Sequence, residues 1–183
     1  MTTSMPETRN LLALTAIGPE REGQVSELVR VILERGCEIV ECRLAHLDAC
    51  FTASIVVTGN WSSLGRLETA LPALAERLSL KLHLHRCETG PSQSNLRPYG
   101  VEVVAPRRAD LLNHVLTFFD AQEVRVREIL TQEYASGYTG AEMCNLHLVV
   151  HVPVDQHPQA LRDAFMDLCD EMNADGMFDP IKS

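Results

Sequence analysis

The chain has 183 residues, 45% of them apolar and 22% charged, with a formal net charge of −9. That is the make-up of an ordinary globular protein, and the length suits two domains of roughly 85–90 residues. No window approaches the ~18 consecutive apolar residues of a membrane span, and the scattered Lys and Arg argue against a phosphate-binding nucleic-acid surface.

Leu11 to Ile17 is an apolar run interrupted only by Thr15 and bounded by Gly18-Pro19, which predicts a central strand buried on both faces. Val25, Leu28, Val29, Ile32 and Leu33 then recur with helical spacing opposite Glu27, Arg30 and Glu34, and Gly36 supplies the stop. From Cys37 to Leu47 the period is two; Asp48-Ala49 turns the chain into Phe51 to Thr58, so a hairpin is expected. Leu64, Leu67, Leu71, Leu74 and Leu78 mark a second helix, in which Pro72 predicts a kink or a late start. Leu80, Leu82 and Leu84 alternate with Lys81, His83 and His85 in a closing strand. The order is β-α-β-β-α-β, the split βαβ or ferredoxin-like sandwich.

The polar stretch from Glu88 to Pro98 has no periodicity and contains Gly and two Pro. The cycle then restarts. Tyr99 to Ala105 predicts a strand, Leu111, Leu112, Val115, Leu116 and Phe119 a helix, and Val124 to Leu130 and Asn145 to Val152 two further strands. Leu161, Ala164, Phe165, Leu168 and Met172 form the inner face of the last helix. Modules at 8–88 and 99–183 with a linker at 89–98 follow, in an α+β fold of two tandem antiparallel sheets with helices on one face. Internal similarity supports this, since Glu20, Gly23, Ile39 and Glu41 stand 87 positions before Arg107, Asp110, Val126 and Glu128. Later matches are offset by about seven more, which places an insertion in the second hairpin near Glu133 to Gly140.

The N-terminus lacks the basic start and apolar stretch of a secretory signal, so a cytoplasmic location with reduced thiols is expected. The six cysteines contain no C-x-x-C pair and read as buried structural residues. His83 and His85 share a strand face, as do His147 and His151, but with no third donor nearby in sequence they read as solvated. No nucleophile elbow, zinc-protease helix motif, P-loop or dinucleotide fingerprint occurs, so neither catalysis nor a cofactor is expected. Trp61 is expected to pack at its helix start, and Tyr134 and Tyr138 suit an interface anchor if exposed.

A βαββαβ unit whose first strand ends in a short loop of the form D-R-x-G-hydrophobic leading into a helix resembles the ACT domain, a regulatory module that binds amino acids. Here the loop reads Gly18-Pro19-Glu20-Arg21-Glu22-Gly23-Gln24-Val25. The tandem arrangement, the stretch Gly36 to Ala45 and the residues Phe51-Thr52 and Gly59-Asn60-Trp61 are similar to the glycine cleavage system transcriptional repressor family over nearly the full length. The usual Asp of the loop is Glu20 here, the usual Pro is Glu22, and an Asn at the start of the second strand corresponds to Glu38.

The resemblance implies a ligand site at Gly18, Glu20, Arg21, Glu22, Gly23, Gln24, Val25 and Glu38. Physically, the unpaired N–H groups and positive dipole of a helix start attract a carboxylate, Gly23 permits close approach, Arg21 adds charge-assisted hydrogen bonds, and Glu20 or Glu38 receives an ammonium. The alternative stays open that Gly23 only eases a tight turn and the charged residues are a solvated loop. In the second module Arg107 and Asp110 replace the acidic and glycine positions, so Asp110 is expected to be an ordinary N-cap and the module to bind a partner. The implied function is a cytoplasmic transcriptional regulator, a repressor without its own DNA-binding domain, that senses a small amino acid such as glycine and binds a DNA-binding activator. A homodimer through open strand edges fits that scheme. The alternative is a ligand-free interaction adaptor for an enzyme of amino-acid or one-carbon metabolism; an RNA-binding reading needs base-stacking aromatic residues on the central strands, and Leu11 to Ile17 and Tyr99 to Ala105 have only Tyr99.

Overall fold

The computed structural model describes residues 10–88 and 95–181. Its contacts divide the chain into two compact units, Met1–Pro91 and Ser92–Ser183. In the first, β1 (Asn10–Pro19), α1 (Gln24–Glu34), β2 (Glu38–Leu47), β3 (Cys50–Thr58), α2 (Trp61–Leu78) and β4 (Lys81–Glu88) form one antiparallel sheet in the order β2-β3-β1-β4. In the second, β5 (Leu96–Pro106), α3 (Leu111–Ala121), β6 (Arg125–Ala135), β7 (Glu142–Pro153), α4 (Pro158–Glu171) and β8 (Asp175–Pro180) repeat the pattern as β6-β7-β5-β8. Both sheets carry a register shift at corresponding points, between Ile39 and Glu41 and between Val126 and Glu128. A bulge is a designed irregularity that re-aims the following side chains, and here it places Glu41 and Glu128 alike.

The two cores differ in substance. The first is aliphatic, with Leu12, Leu14, Leu28, Ile32, Ile55, Leu64, Leu67 and Leu71 buried against Phe51. The second is built on phenylalanine: Phe119, Phe165 and Phe178 pack with centroids 5.6–6.4 Å apart, and Tyr99 stacks on Phe178 at 4.9 Å. Such rings add favourable quadrupole contacts to large buried areas.

Several local expectations are corrected. β1 is buried on one face: Leu12, Leu14 and Ala16 are inside, while Thr15 and Ile17 are exposed, because helices cover only one side of the sheet. The inner face of α1 is Gln24, Leu28, Val31 and Ile32, and Val25 and Leu33 are exposed; a hydrogen-bonded glutamine takes a position that apolar counting assigns to a neighbour. α2 runs from Trp61 through Pro72 without a late start. It is capped by the Asn60 side chain accepting from the Ser63 N–H at 2.8 Å, and Pro72 sits on its exposed side, where water can serve the carbonyl that a proline cannot pair. β5 begins at Leu96, so Leu96, Arg97 and Pro98, expected in the linker, pair with Pro153, Val152 and His151; residues 89–94 of that segment lie outside the described residues. The closing strand β8, which two βαββαβ modules require, was not located in the sequence because Phe178 is its single buried residue. The longer second hairpin turns through Ser136–Ala141, with Tyr134 half-exposed and Tyr138 fully so.

Cys37, Cys144 and Cys169 are buried, and burial pushes their thiols up, Cys169 to about 11. Cys42 and Cys50 are exposed and Cys87 is partly so, which corrects the uniformly buried expectation. The cause for Cys42 is its place on β2, an edge strand with scarcely any covered position. Trp61 is also more open than expected, 69% exposed, with the Arg86 guanidinium 3.9 Å from its ring centroid and bidentate to Glu68.

Candidate functional site

The β1–α1 loop is organised from below by Gln24. Its side chain is buried; Oε1 accepts from the Arg21 backbone N–H at 2.9 Å, and Nε2 donates to the Pro19 carbonyl at 2.8 Å and the Leu78 carbonyl at 3.4 Å. Both donors of this amide and its oxygen are therefore engaged by backbone groups, and Gln24 is a strut under the loop. Gly18 is equally structural, since a Cβ there would stand 2.6 Å from the Ser79 carbonyl and 2.9 Å from Leu80.

Above that base the chain exposes Glu20, Arg21, Glu22, Gly23 and Val25 side by side. Gly23 is the N-cap of α1 at φ 76°, ψ −2°, with no side-chain cap and open space where a Cβ would be. The left-handed φ explains the glycine, and the missing cap leaves first-turn N–H groups without a side-chain acceptor. The Glu20 N–H donates to the Ala49 carbonyl at 3.3 Å, and its carboxylate lies 3.2 Å from His46 Nδ1. His46 carries no motif and was not foreseen; its only sequence signal is its place beside the hairpin turn.

Glu38 is not brought to this loop. It opens β2 opposite Thr58, which faces Leu11 at the start of β1, whereas the loop follows Pro19, opposite Cys50. A strand rises ~3.3 Å per residue, so Glu38 stands at the far end of the sheet. Within one module Glu38 is therefore apart from Glu20 and Arg21.

The corresponding loop of the second module keeps the frame and inverts the charges. The Arg107 N–H donates to the Glu142 carbonyl at 2.9 Å, as Glu20 does to Ala49, and its guanidinium lies 2.9 Å from Glu133, the counterpart of His46. Asp110 occupies the N-cap position in the ordinary right-handed region, φ −97°, without capping the helix. Its carboxylate is gripped by Arg108 at 2.6 and 2.8 Å, which, with smaller backbone and coulombic help, holds its carboxyl down to about 2. The ordinary N-cap expectation is corrected: the nearby guanidinium wins the acceptor. A carboxyl depressed from the usual 3.8 to about 2 contributes stability above pH ~4 that is lost as pH falls between those values. Arg108→Ala is expected to return the Asp110 titration toward 3.8 in a carboxyl-detected NMR pH series and to erase that acid limb.

The histidine pairs stay apart from metal geometry: no group of three or more His, Cys, Asp or Glu suited to a metal occurs among the described residues. No helix there is long and apolar enough to cross a membrane. Tyr99, the aromatic residue of β5, faces inward against Phe178.

The family model of the ACT domain matches residues 10–85. Over 169 residues the chain is 26% identical to the glycine cleavage system transcriptional repressors of Escherichia coli K12 and Shigella flexneri, covering 92% of this chain and 89% of each relative. Among solved structures, one provisionally named a glycine cleavage system transcriptional repressor superposes with a TM-score of 0.73 at 23% identity, covering 96% of this chain and 99% of that one. An unknown protein from Galdieria sulphuraria gives 0.76 at 17% identity, covering 95% and 99%. These structures share the fold. Residues 10–85 match the ACT domain, the second unit repeats the topology of the first, and the chain is similar over most of its length to the glycine cleavage system transcriptional repressors.

Proposed function

We propose that this chain is a transcriptional regulator that senses a small amino acid, glycine being the first to test, at the β1–α1 loop of its first module and acts by binding a DNA-binding activator protein. The observation that carries the reading is the uncapped N-terminus of α1 at Gly23, flanked by the exposed Glu20 and Arg21. A ligand carboxylate would take the first-turn N–H groups and Arg21, and its ammonium would take Glu20, held in place by His46. The acidic chain acts through a protein, not through DNA itself. The name of the Escherichia coli relative supports the regulatory role, and the altered loop of the second module supports a division in which that module serves the partner. Ligand alters partner affinity only if it binds the free and partner-bound states differently.

Calorimetric titration with glycine, serine and larger amino acids tests the sensor. Gly23→Asp places an anion at the helix start and is expected to abolish binding, whereas Gly23→Asn carries a similar backbone cost without the charge and is expected to weaken it less than ~10-fold. No heat with any amino acid at millimolar concentration removes the sensor and leaves the ligand-free adaptor, whose best contact is the exposed Tyr134 and Tyr138 of the second hairpin.

A further inference from the structure

Matching registers let the open faces of the two sheets be compared position by position. On the first, Thr15 lies between Ser54 and His83, and Arg43 stands across from Ser54. On the second, Glu102 lies between His147 and Met177, and Leu130 stands across from His147. Arginine has become leucine, histidine has become methionine, and threonine has become a carboxylate. In the first sheet Glu41 is neutralised by Arg43 at 2.7 Å, and the face holds a cleft of about 140 Å³. In the second, the position of that arginine is apolar, and the face holds a concavity of about 460 Å³.

Leu130, Val149, Met177 and Ile181 give this concavity apolar walls, and its charged lining is Glu102, Glu128 and Asp179, with no Lys or Arg. An apolar hollow with a few convergent polar groups is the usual form of a small-molecule site, and its single sign of charge selects cations. Asp179 also has Arg162 at 3.7 Å, so Glu102 on the interior strand is the stronger anchor. Its carboxylate accepts from Asn145 Nδ2 at 3.1 Å, and the same amide nitrogen lies 2.9 Å from His147 Nε2. His147 Nε2 also lies 3.7 Å from the Glu102 carboxylate. The network leaves Asn145 Oδ1 buried and without a hydrogen-bond partner, an acceptor that a donor nearby would satisfy.

We propose that the open face of the second sheet binds a small amphipathic organic cation, a primary amine with an apolar chain, its ammonium at Glu102 and its chain along Leu130, Val149 and Met177. A free amino acid fits poorly, because no Lys or Arg lines the hollow to receive its carboxylate. The ligand class is therefore distinct from that of the first loop, and the two sites stand or fall separately.

The test titrates the full chain with 3-methylbutylamine, leucine and 3-methylbutanol, which share a branched chain and differ in charge, followed by NMR shifts and calorimetry. The amine is expected to move resonances of Glu102, Leu130 and Met177, with leucine and the alcohol at least ~10-fold weaker at this face. Glu102→Gln is expected to weaken amine binding at least ~10-fold, and Glu41→Gln, at the matching place in the first module, to leave it unchanged. Met177→Lys, on an exposed edge position that tolerates substitution, is expected to expel the amine even if Glu102→Gln perturbs the fold. Equal binding of amine and alcohol, no shift at this face with millimolar amine, or undiminished affinity in Met177→Lys would overturn the proposal.

Discussion

Phe165→Ala is expected to destabilise the second module by about 3–5 kcal/mol, the usual cost of emptying a buried phenylalanine site. Phe165 is fully buried on α4, stacked on Phe119 at 5.6 Å, with Phe178 at 6.0 Å and Phe118 at 5.8 Å. Its loss removes both the transfer energy of one ring and the contacts it gives three others. Collapse into the gap is hindered because the surroundings are already tight: a Cβ added at Gly176 would come within 2.5 Å of the Cys169 sulfur and 3.3 Å of the Phe165 ring. Urea denaturation with amide hydrogen exchange measures this. Loss of protection is expected across β5 to β8 and α3 to α4, with the leucine core of the first module unaffected, since the two cores share no residue. A cost below ~1 kcal/mol would mean that the second core repacks; equal loss in both units would mean that they unfold as one.

The second large effect is expected from Gln24→Leu, which keeps the side-chain volume and removes the hydrogen bonds. The Arg21 N–H and the Pro19 and Leu78 carbonyls lose their partner, and at ~1–3 kcal/mol for each buried group left unpaired, moderated by water reaching the Arg21 end, the expected total is about 2–4 kcal/mol. The same change frees the loop from the C-terminal end of α2, so any amino-acid affinity at Gly23 is expected to fall by more than this variant's stability at working temperature explains. Thermal unfolding beside calorimetry separates the two effects. Full stability in Gln24→Leu would show that the strut is replaceable, and intact affinity in a destabilised variant would move the ligand away from this loop.

Much of the fold was legible because it rests on local periodicity. Leucines at α2 spacing, alternation in β7 and turn residues at Asp48-Ala49 and Gly59-Asn60 each report backbone geometry directly. The place of β8 was not legible, because an edge strand with one buried residue has no alternation to read. The inner face of α1 was misread because a buried glutamine looks like a surface residue until its three backbone partners are in place. At the loop, the exposed Glu20 to Gly23 run follows from sequence order alone, whereas two relations do not. His46 reaches Glu20 only through the β2–β3 hairpin, and Glu38 is carried away from it by the full length of β1.

By itself the sequence determined two βαββαβ modules of the same order, an acidic net charge and a glycine-marked helix start in the first module only, because these depend on residue type and spacing along the chain. Tertiary structure alone decided which face of each sheet stays open, that Gln24 is a strut, that Asp110 answers to Arg108, and that Glu102, His147 and Met177 share one hollow. Apart from the Arg108–Asp110 pair, two positions apart, those relations join residues far apart in sequence, and their energies come from burial and pairing that exist only once the elements are folded.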